Sequence, residues 1–314
     1  MNSKSSKKIR LYKIIILLNI LIIKQKYIIN YNKKFVLMRK DLPTGGLLAY
    51  YYLNLGCVND YIINGYIPII DLISLPNIFN GFNTNITKNP WEVFFNQPFN
   101  YKLNDVKKKA KNVEYVQCYQ GKKSPDFKIY YSNDKRREYW HNIAKKYIPI
   151  KSEIIKEANY KFKLLFKNSN NVLGVLIRGT DYIAKKPHHH PKQPSPKIVI
   201  EDIKKMDKEN KYNWFFLTTE DDFIREKFIH EFGKKLKYIK SRININYDYK
   251  KKDFLGFNKN IMGNLEYMKI YLINIIILSK CLDFIASRTG GSLVAFIISK
   301  GFRNIKVYNL GSYK

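Results

Sequence analysis

A group of polar residues follows one apolar run of the sequence directly. Residues 172–177 are apolar, and Arg178, Gly179, Thr180 and Asp181 come next. A short apolar run that stops at such a group is typical of a buried parallel strand, and ligands bind beyond the carboxyl ends of these strands. The planar guanidinium of Arg178 could bind two phosphate oxygens at once. An ion pair between Arg178 and Asp181 that fixes the loop explains the same residues equally well.

A second loop has the composition of an anion site. Residues 287–292 read SRTGGS, and they lie between a predicted strand and a predicted helix at residues 293–299. Small residues at a helix start let backbone N–H groups and hydroxyls surround an anion. The alternative is a tight turn in which Ser292 caps the helix. Together with Arg178, this loop predicts a site that holds a diphosphate.

Three adjacent histidines, at positions 188–190, lie among prolines. Adjacent side chains diverge and no acidic or cysteine partner has ligand spacing, so we predict no metal site. His190 could act as a general base near neutral pH, with Asp181 as the alternative base or as the group that orients Arg178. An exposed polar loop accounts for the histidines at least as well. The acidic run at residues 220–222 is explained by helix capping.

The whole-chain charge does not indicate nucleic acid. The formal net charge is +32, but only nine of the 57 basic residues are arginine, and the lysines are scattered along the chain. A solvated surface explains this pattern, so we expect no specific nucleic-acid partner. Three cysteines, an odd and widely spaced set, predict neither a disulfide framework nor a metal site. We therefore expect Cys57 and Cys281 to be buried thiols in a reducing, cytoplasmic compartment.

The first 33 residues are expected to form a basic and apolar leader helix. The apolar run at residues 14–23 is too short to span a bilayer, and no small-residue cleavage site follows it. The segment could pack on the protein or lie on an anionic membrane surface. A peripheral position at the inner face of the membrane is therefore compatible with the cytoplasmic location.

Strands and helices alternate along the rest of the chain, which predicts an α/β fold with parallel sheets. The 314 residues are enough for two domains, and the region near Pro149 is the expected boundary. We predict an N-terminal Rossmann-like domain at residues 34–150 and a C-terminal one at residues 151–314. Trp91, Phe94 and Phe95 have helical spacing and are expected to pack in the core.

Three segments in this order resemble the fucosyltransferase superfamily, which includes core alpha-1,6-, nodulation-factor and protein O-fucosyltransferases. They are residues 178–182 (RGTDY), 216–222 (FLTTEDD) and 278–292 (LSKCLDFIASRTGGS). The loop at Gly45 and Gly46 and the segment at residues 89–92 look like those of bacterial members. The resemblance implies a GT-B-like architecture, with two Rossmann-like domains facing a cleft. It also implies metal-independent, inverting transfer from GDP-fucose, without a cofactor, to a glycan acceptor in surface polysaccharide synthesis.

The resemblance assigns roles residue by residue. Arg178 matches the arginine that contacts the donor diphosphate, Thr289 and Ser292 fall in a phosphate-contacting loop, and Asn274 falls near an aspartate that recognises guanine. The sequence departs from the core enzymes at Gly179, where they have a second arginine, and it has no carboxylate between Asp181 and Glu201. A non-catalytic protein that binds nucleotide sugars or glycans is therefore the first alternative, and a basic nucleic-acid-binding protein is the less favoured second one. The residues expected to contact substrates are Gly45, Gly46, Arg178, Gly179, Thr180, Asn274, Arg288, Thr289, Gly290, Gly291 and Ser292.

Overall fold

The computed structural model describes residues 30–40, 45–118, 121, 124–131, 134–239, 247–251, 254 and 258–314. The predicted leader helix lies outside the described residues except for its last four positions, which form a turn rather than a helix. Across the described ranges, no helix is both long and apolar enough to cross a membrane.

The N-terminal half contains a three-stranded parallel sheet. Its strands are β1 (Lys34–Arg39), β2 (Ile67–Asp71) and β3 (Asn112–Gln117), in the order β2-β1-β3. Helix α1 (Leu47–Ile63) connects β1 to β2, and it has the predicted bounds. It ends at Asn64 and Gly65, and Gly65 has a positive φ of 79° that favours glycine.

Short elements close one edge of this sheet. Helices α2 (Trp91–Phe94) and α3 (Leu103–Lys109) lie between β2 and β3. The side-chain amide of Gln97 accepts from the Ile70 N–H and donates to the Ile70 carbonyl, so it replaces a neighbouring strand at the edge strand β2. Trp91, Phe94 and Phe95 are fully buried, which confirms the core role predicted for them.

Two long helices link the halves of the chain. These are α4 (Asp134–Tyr147) and α5 (Ser152–Phe166), and the chain breaks between them at Pro149, as predicted. Helix α5 ends where Lys167 adopts the left-handed conformation.

The C-terminal half is a five-stranded parallel sheet in the order β6-β5-β4-β7-β8. The strands are β4 (Val172–Leu176), β5 (Trp214–Thr218), β6 (Leu236–Lys237), β7 (Asp283–Ser287) and β8 (Ile305–Tyr308). In the part of this half that the structure describes, the α-helices are α6 (Thr180–Ala184), α7 (Pro196–Asn210), α8 (Asp222–Phe232), α9 (Leu265–Leu278) and α10 (Gly290–Ile298). Helix α10 begins three residues before the predicted start, so the glycines expected in a loop form its first turn.

The two halves share one apolar core. A single buried cluster includes Val36 and Met38 of β1 together with Phe216 of β5 and Ala286 of β7. Helices α1, α4, α9 and α10 contribute to this cluster and to the contacts between the halves. The predicted division into domains at residues 34–150 and 151–314 stays a prediction.

The cysteine prediction is wrong for Cys57. Cys57 of α1 and Cys118, which follows β3, form a disulfide, while Cys281 is a buried thiol as expected. The odd number of cysteines and the separation of 61 residues concealed the pair. Because disulfides persist in oxidising compartments, the inference of a reducing compartment loses its basis.

Candidate functional site

The C-terminal sheet places both predicted anion loops at one crevice. Strand β4 connects to β5 on one side, whereas β7 lies on its other side, so the strand order reverses between β4 and β7. Ligands of open α/β sheets bind at this switch point, beyond the carboxyl ends of the strands. Arg178 follows β4 and residues 288–292 follow β7. The two loops selected from the sequence therefore flank the same crevice.

Arg178 is held by two carboxylates and one aromatic ring. Its Nε donates to Glu220 Oε1 at 2.9 Å and its Nη2 donates to Asp181 Oδ1 at 3.0 Å. The guanidinium carbon lies 4.7 Å from the centre of the Tyr182 ring. Burial alone would lower the pKa of the guanidinium, but Glu220 and Asp181 raise that pKa well above its ordinary value. The pair with Asp181 that the sequence offered as the alternative is thus present.

Glu220 organises the whole turn after β4. One of its oxygens, Oε1, accepts from Arg178, from the Gly179 N–H at 2.9 Å and from the Thr180 hydroxyl at 3.0 Å. The sequence interpretation assigned the acidic run to helix capping and missed this role. Arg178 and Glu220 are 42 residues apart, but each follows one of two adjacent strands, which is the signal that could have paired them.

Asp221 explains both the acidic run and Gly179. Its Oδ1 caps helix α8 by accepting from the Ile224 N–H, as predicted, and its Oδ2 accepts from the Thr180 N–H at 3.1 Å. A Cβ at position 179 would clash with this carboxylate. Gly179 is therefore required for the contact between the two loops.

Tyrosine side chains surround Arg178. Tyr182 follows it in the chain, and Tyr267 and Tyr271 come from α9. Burial raises the pKa of Tyr182 to about 12 and also raises the pKa of Tyr271, so these hydroxyls stay protonated at neutral pH. The Tyr271 hydroxyl interacts with Arg178 and lies where a Cβ at Gly291 would be, so it spans the crevice. Sequence reasoning missed it because α9 reads as an apolar core helix.

The loop after β7 is a capped helix start. Thr289 is the N-cap: its hydroxyl accepts from the Ser292 N–H at 3.1 Å, and the Ser292 hydroxyl accepts from the Thr289 N–H at 2.9 Å. The sequence alternative predicted a helix cap here, and a cap is present. The capping residue is Thr289 and not Ser292, because Ser292 lies inside the helix. The Tyr130 hydroxyl also donates to Ser292 at 2.9 Å. The N–H groups of Thr289 and Ser292 are thus bonded within the turn. The N–H groups of Gly290 and Gly291, which lie between them, are the candidates for binding an anion.

Arg288 is the second cation at this crevice. It is half-buried, its guanidinium carbon lies 4.7 Å from the centre of the Phe127 ring, and Nη1 donates to Asn309. Unlike Arg178, it forms no ion pair with an acidic side chain within the described part of the chain.

The N-terminal half reaches the same crevice through α1. A Cβ at Gly290 would lie 3.2 Å from the Tyr52 ring and 3.3 Å from the Ala49 nitrogen, so this glycine permits close packing between α10 and α1. Gly45 and Gly46 directly precede α1, with Gly46 at its N-cap position. No heavy atom lies within 4 Å of a Cβ built at Gly46, so packing does not require a glycine there.

Asn274 lies one turn after Tyr271 on α9 and is buried. Its Oδ1 has no hydrogen-bond partner in the ranges that the structure describes, and neither has Thr218 Oγ1 at the end of β5. Buried polar atoms are ordinarily paired, so these two lack the partners that such atoms usually have.

His190 is exposed, and its ring centre lies 5.5 Å from that of Tyr182. Because Tyr182 also contacts Arg178, the structure brings His190, Arg178 and Asp181 to one region. His190 Nδ1 lies 3.2 Å from the His188 carbonyl oxygen, which can only accept. A neutral His190 that keeps this bond therefore carries its lone pair on Nε2. The backbone of its loop pairs with the segment around Ser312.

Within the described ranges, no group of three or more histidine, cysteine, aspartate or glutamate side chains is arranged to hold a metal ion. The predicted independence from metal stays a prediction.

The comparisons agree with this arrangement at the level of the fold. The chain is similar to the apo form of POFUT1, with a TM-score of 0.50, 9% identity, and coverage of 89% of this chain and 99% of that one. It is also similar to POFUT1 in complex with GDP (TM-score 0.49, 10% identity, 89% and 99% coverage). A third similar structure is NodZ alpha-1,6-fucosyltransferase soaked with GDP-fucose (TM-score 0.47, 13% identity, 85% and 93% coverage). No family model matches the sequence, and no curated protein sequence matches it.

The chain therefore has a two-sheet, GT-B-like α/β fold of the fucosyltransferase-like kind, which confirms the predicted fold class. Sequence identities of 9–13% establish a shared fold and do not establish a shared activity.

Proposed function

We propose that this protein is a glycosyltransferase that moves fucose from GDP-fucose to a glycan acceptor, with inversion and without a metal ion. The observation that carries the proposal is the convergence of Arg178 and the start of α10 at the β4/β7 switch point. The shared fold with POFUT1 supports it, as do the three sequence segments that resemble fucosyltransferases.

Arg178 is the group that would stabilise the leaving diphosphate. Neither carboxylate bond uses its Nη1. Because Glu220, Asp181 and Tyr182 fix the guanidinium, the cation does not need to reorganise as charge develops on the diphosphate. The N–H groups of Gly290 and Gly291 and the positive end of α10 add to this stabilisation.

The acceptor hydroxyl attacks the anomeric carbon from the face opposite the diphosphate. A base takes the hydroxyl proton as the new bond forms, and the bond to the diphosphate breaks. His190 is the proposed base, because it is exposed and its Nε2 carries the lone pair in the neutral form. Asp181 is better suited to orient Arg178, since its Oδ1 already accepts from Arg178 and from the Tyr182 N–H.

Asn274 is proposed to contact the donor base. Its unpaired Oδ1 can accept one hydrogen bond from a guanine N–H, whereas a carboxylate could accept two. The resemblance to bacterial members supports an acceptor in a surface polysaccharide. The basic and apolar composition of residues 1–23 supports contact with an anionic membrane.

A thermal-shift panel tests the donor. GDP should raise the apparent melting temperature more than UDP or CMP does, and EDTA should leave this shift unchanged. Arg178→Lys keeps the charge but loses the planar fork, so it should lose most of the GDP shift. Arg136→Lys, a half-exposed arginine on α4, is the matched control and should respond to GDP like the wild type. A GDP shift that survives in Arg178→Lys would contradict the proposed role of Arg178.

A non-catalytic nucleotide-sugar binding protein is the second candidate. The neutralisation of Arg178 by two carboxylates favours it, because less positive charge remains for the leaving group. Release of GDP from GDP-fucose, followed over time, separates the two candidates. Binding without release of GDP, in the presence of a broad set of glycan acceptors, would favour the binding protein.

A further inference from the structure

The N-terminal sheet has a switch point of its own. In the order β2-β1-β3, strand β1 connects to β2 on one side and has β3 on the other. The rule that places ligands at the β4/β7 crevice therefore also selects the carboxyl ends of β1 and β3. Arg39 is the last residue of β1, and its register partner on β3 is Gln117.

Arg39 carries a cation for which the described part of the chain provides no carboxylate partner. It is half-buried, its Nε is buried, and that nitrogen has no hydrogen-bond partner within the described residues. Its register partner on β2, Asp71, is already bonded to Lys107 at 2.9 Å and to the Ser74 hydroxyl at 2.6 Å. The buried Nε is out of reach of a ligand, so an anion would pair with the two terminal nitrogens of the guanidinium, which are not among the buried atoms.

An exposed aromatic ring lies beside this cation. The Arg39 guanidinium carbon is 4.7 Å from the centre of the Tyr115 ring, and Tyr115 is 53% exposed. One ring face holds the arginine, so the other parts of the ring are open to a ligand. A planar cation next to an exposed ring matches a sugar with a carboxylate, because the carboxylate pairs with the guanidinium while the C–H face of the sugar packs on the ring.

Bonds tie the ends of β1 and β3 to each other and to α1. The Cys118 N–H donates to the Arg39 carbonyl at 3.1 Å, and Cys118 is joined to Cys57 of α1 by the disulfide. The neighbouring Lys40 is buried and its Nζ donates to the Cys118 carbonyl. In the sequence, Arg39 precedes helix α1, and α1 contacts Gly290 at the donor crevice.

We propose that Arg39 and Tyr115 form a binding site for an acidic sugar of the acceptor, a hexuronic acid whose carboxylate pairs with the Arg39 guanidinium. This inference rests on the proposed function, because it deepens the acceptor class from a glycan to an acidic glycan. An acidic peptide would satisfy the cation but would leave the exposed ring without the flat C–H surface that a sugar provides.

Calorimetric titration with two matched probes tests the site. The probes are trigalacturonic acid and the same trisaccharide with its carboxyl groups reduced to alcohols. The wild type should bind the acidic probe at least about tenfold more tightly, which is the scale of a charge-assisted hydrogen-bonded pair. Arg39→Gln should remove most of this preference, and Tyr115→Leu should weaken binding of both probes. Arg136→Gln removes the same charge elsewhere and should bind like the wild type.

Three results would overturn the proposal. The first is equal binding of the two probes. The second is an equal loss of affinity for the acidic probe in Arg39→Gln and Arg136→Gln, because the overall charge of the protein would then explain the binding. The third is Arg39-dependent binding of hexaglutamate in place of the sugar. Titration of GDP on the same samples reports on the proposed function separately, because Arg39→Gln should leave GDP affinity unchanged. If GDP does not bind to the wild type, the proposed function fails, and the two trisaccharide titrations still decide the proposal about Arg39.

Discussion

The two sheets of this protein each end their central strand next to an arginine, and the two arginines have opposite surroundings. Arg178 is paired with Glu220 and Asp181, and its side chain is only 18% exposed. Arg39 rests on the Tyr115 ring and has no acidic partner within the described residues. A guanidinium fixed by carboxylates is pre-oriented, whereas one held only by a ring keeps its donors for a ligand. Arginines at equivalent topological positions therefore differ in how many of their donors remain for a ligand: Arg178 is pre-oriented and keeps Nη1 outside its carboxylate bonds, whereas Arg39 has no carboxylate bond within the described residues.

The largest difference should appear when each arginine is removed. Arg178→Ala leaves two buried carboxylates without their cation, and we expect it to lower the free energy of unfolding by about 3 kcal/mol or more. Arg39→Ala removes only a cation–π contact, so it should cost less than about 1 kcal/mol. Urea unfolding of both variants beside the wild type measures this.

A double variant tests the physical reason. Adding Glu220→Gln to Arg178→Ala should restore part of the lost stability, because it removes one of the unpaired charges. If Arg39→Ala proved as destabilising as Arg178→Ala, the contrast between the two crevices would be wrong.

The disulfide should stabilise the N-terminal half selectively. It closes a segment of 61 residues, and the loop-entropy model assigns such a closure about 4 kcal/mol. Reduction with a dithiol should therefore lower the urea midpoint strongly, and amide hydrogen exchange should speed up in β1 and β3 more than in β4 and β7. Cys281 is a buried thiol, so Cys281→Ala should respond to the reductant like the wild type. If amide exchange speeds up equally in both sheets, the shared core transmits the effect of reduction to the C-terminal half.

The sequence predicted the local elements well because their signals are local. Helix α1 has the predicted bounds, since Asn64 and Gly65 mark its end and apolar residues fill its length. Helix α10 begins earlier than predicted because Thr289 and Ser292 form a reciprocal cap, in which serine takes the place of the usual glutamate.

The features that the sequence did not reveal are long-range. Glu220 approaches Arg178 only because β4 and β5 are neighbours. From the sequence, helix capping is enough to explain the acidic residues 220–222, so they indicate no distant partner for Glu220. Tyr271 reads as one more apolar position of a buried helix. Cys57 of α1 and Cys118 after β3 meet only in the folded chain, and no spacing rule for a lone cysteine pair predicts that. The local sequence pattern thus located the crevice. Which of its charged side chains already form ion pairs depends on contacts between distant parts of the chain.

The smallest effect we expect concerns Lys40, which follows Arg39 directly. Burial lowers the pKa of the Lys40 ammonium from its ordinary value of 10.5 to about 7. Between these two pH values the unfolded chain binds a proton that the native protein does not, so this residue makes stability rise with pH across that window. Below pH 7 both states are protonated and the dependence ends. The slope cannot exceed about 1.4 kcal/mol per pH unit.

A comparison of the wild type with Lys40→Met isolates this slope, because the raised pKa values of the buried tyrosines are common to both proteins. The stability of the wild type relative to Lys40→Met should rise by about 1 kcal/mol between pH 7.5 and pH 8.5 in urea unfolding. Lys34→Met, at the exposed start of the same strand, should show no such slope. A flat difference between the wild type and Lys40→Met would mean that Lys40 stays charged in the native protein. The carboxyl end of β1 would then hold two cations, and an acidic ligand would be attracted by Lys40 as well as by Arg39.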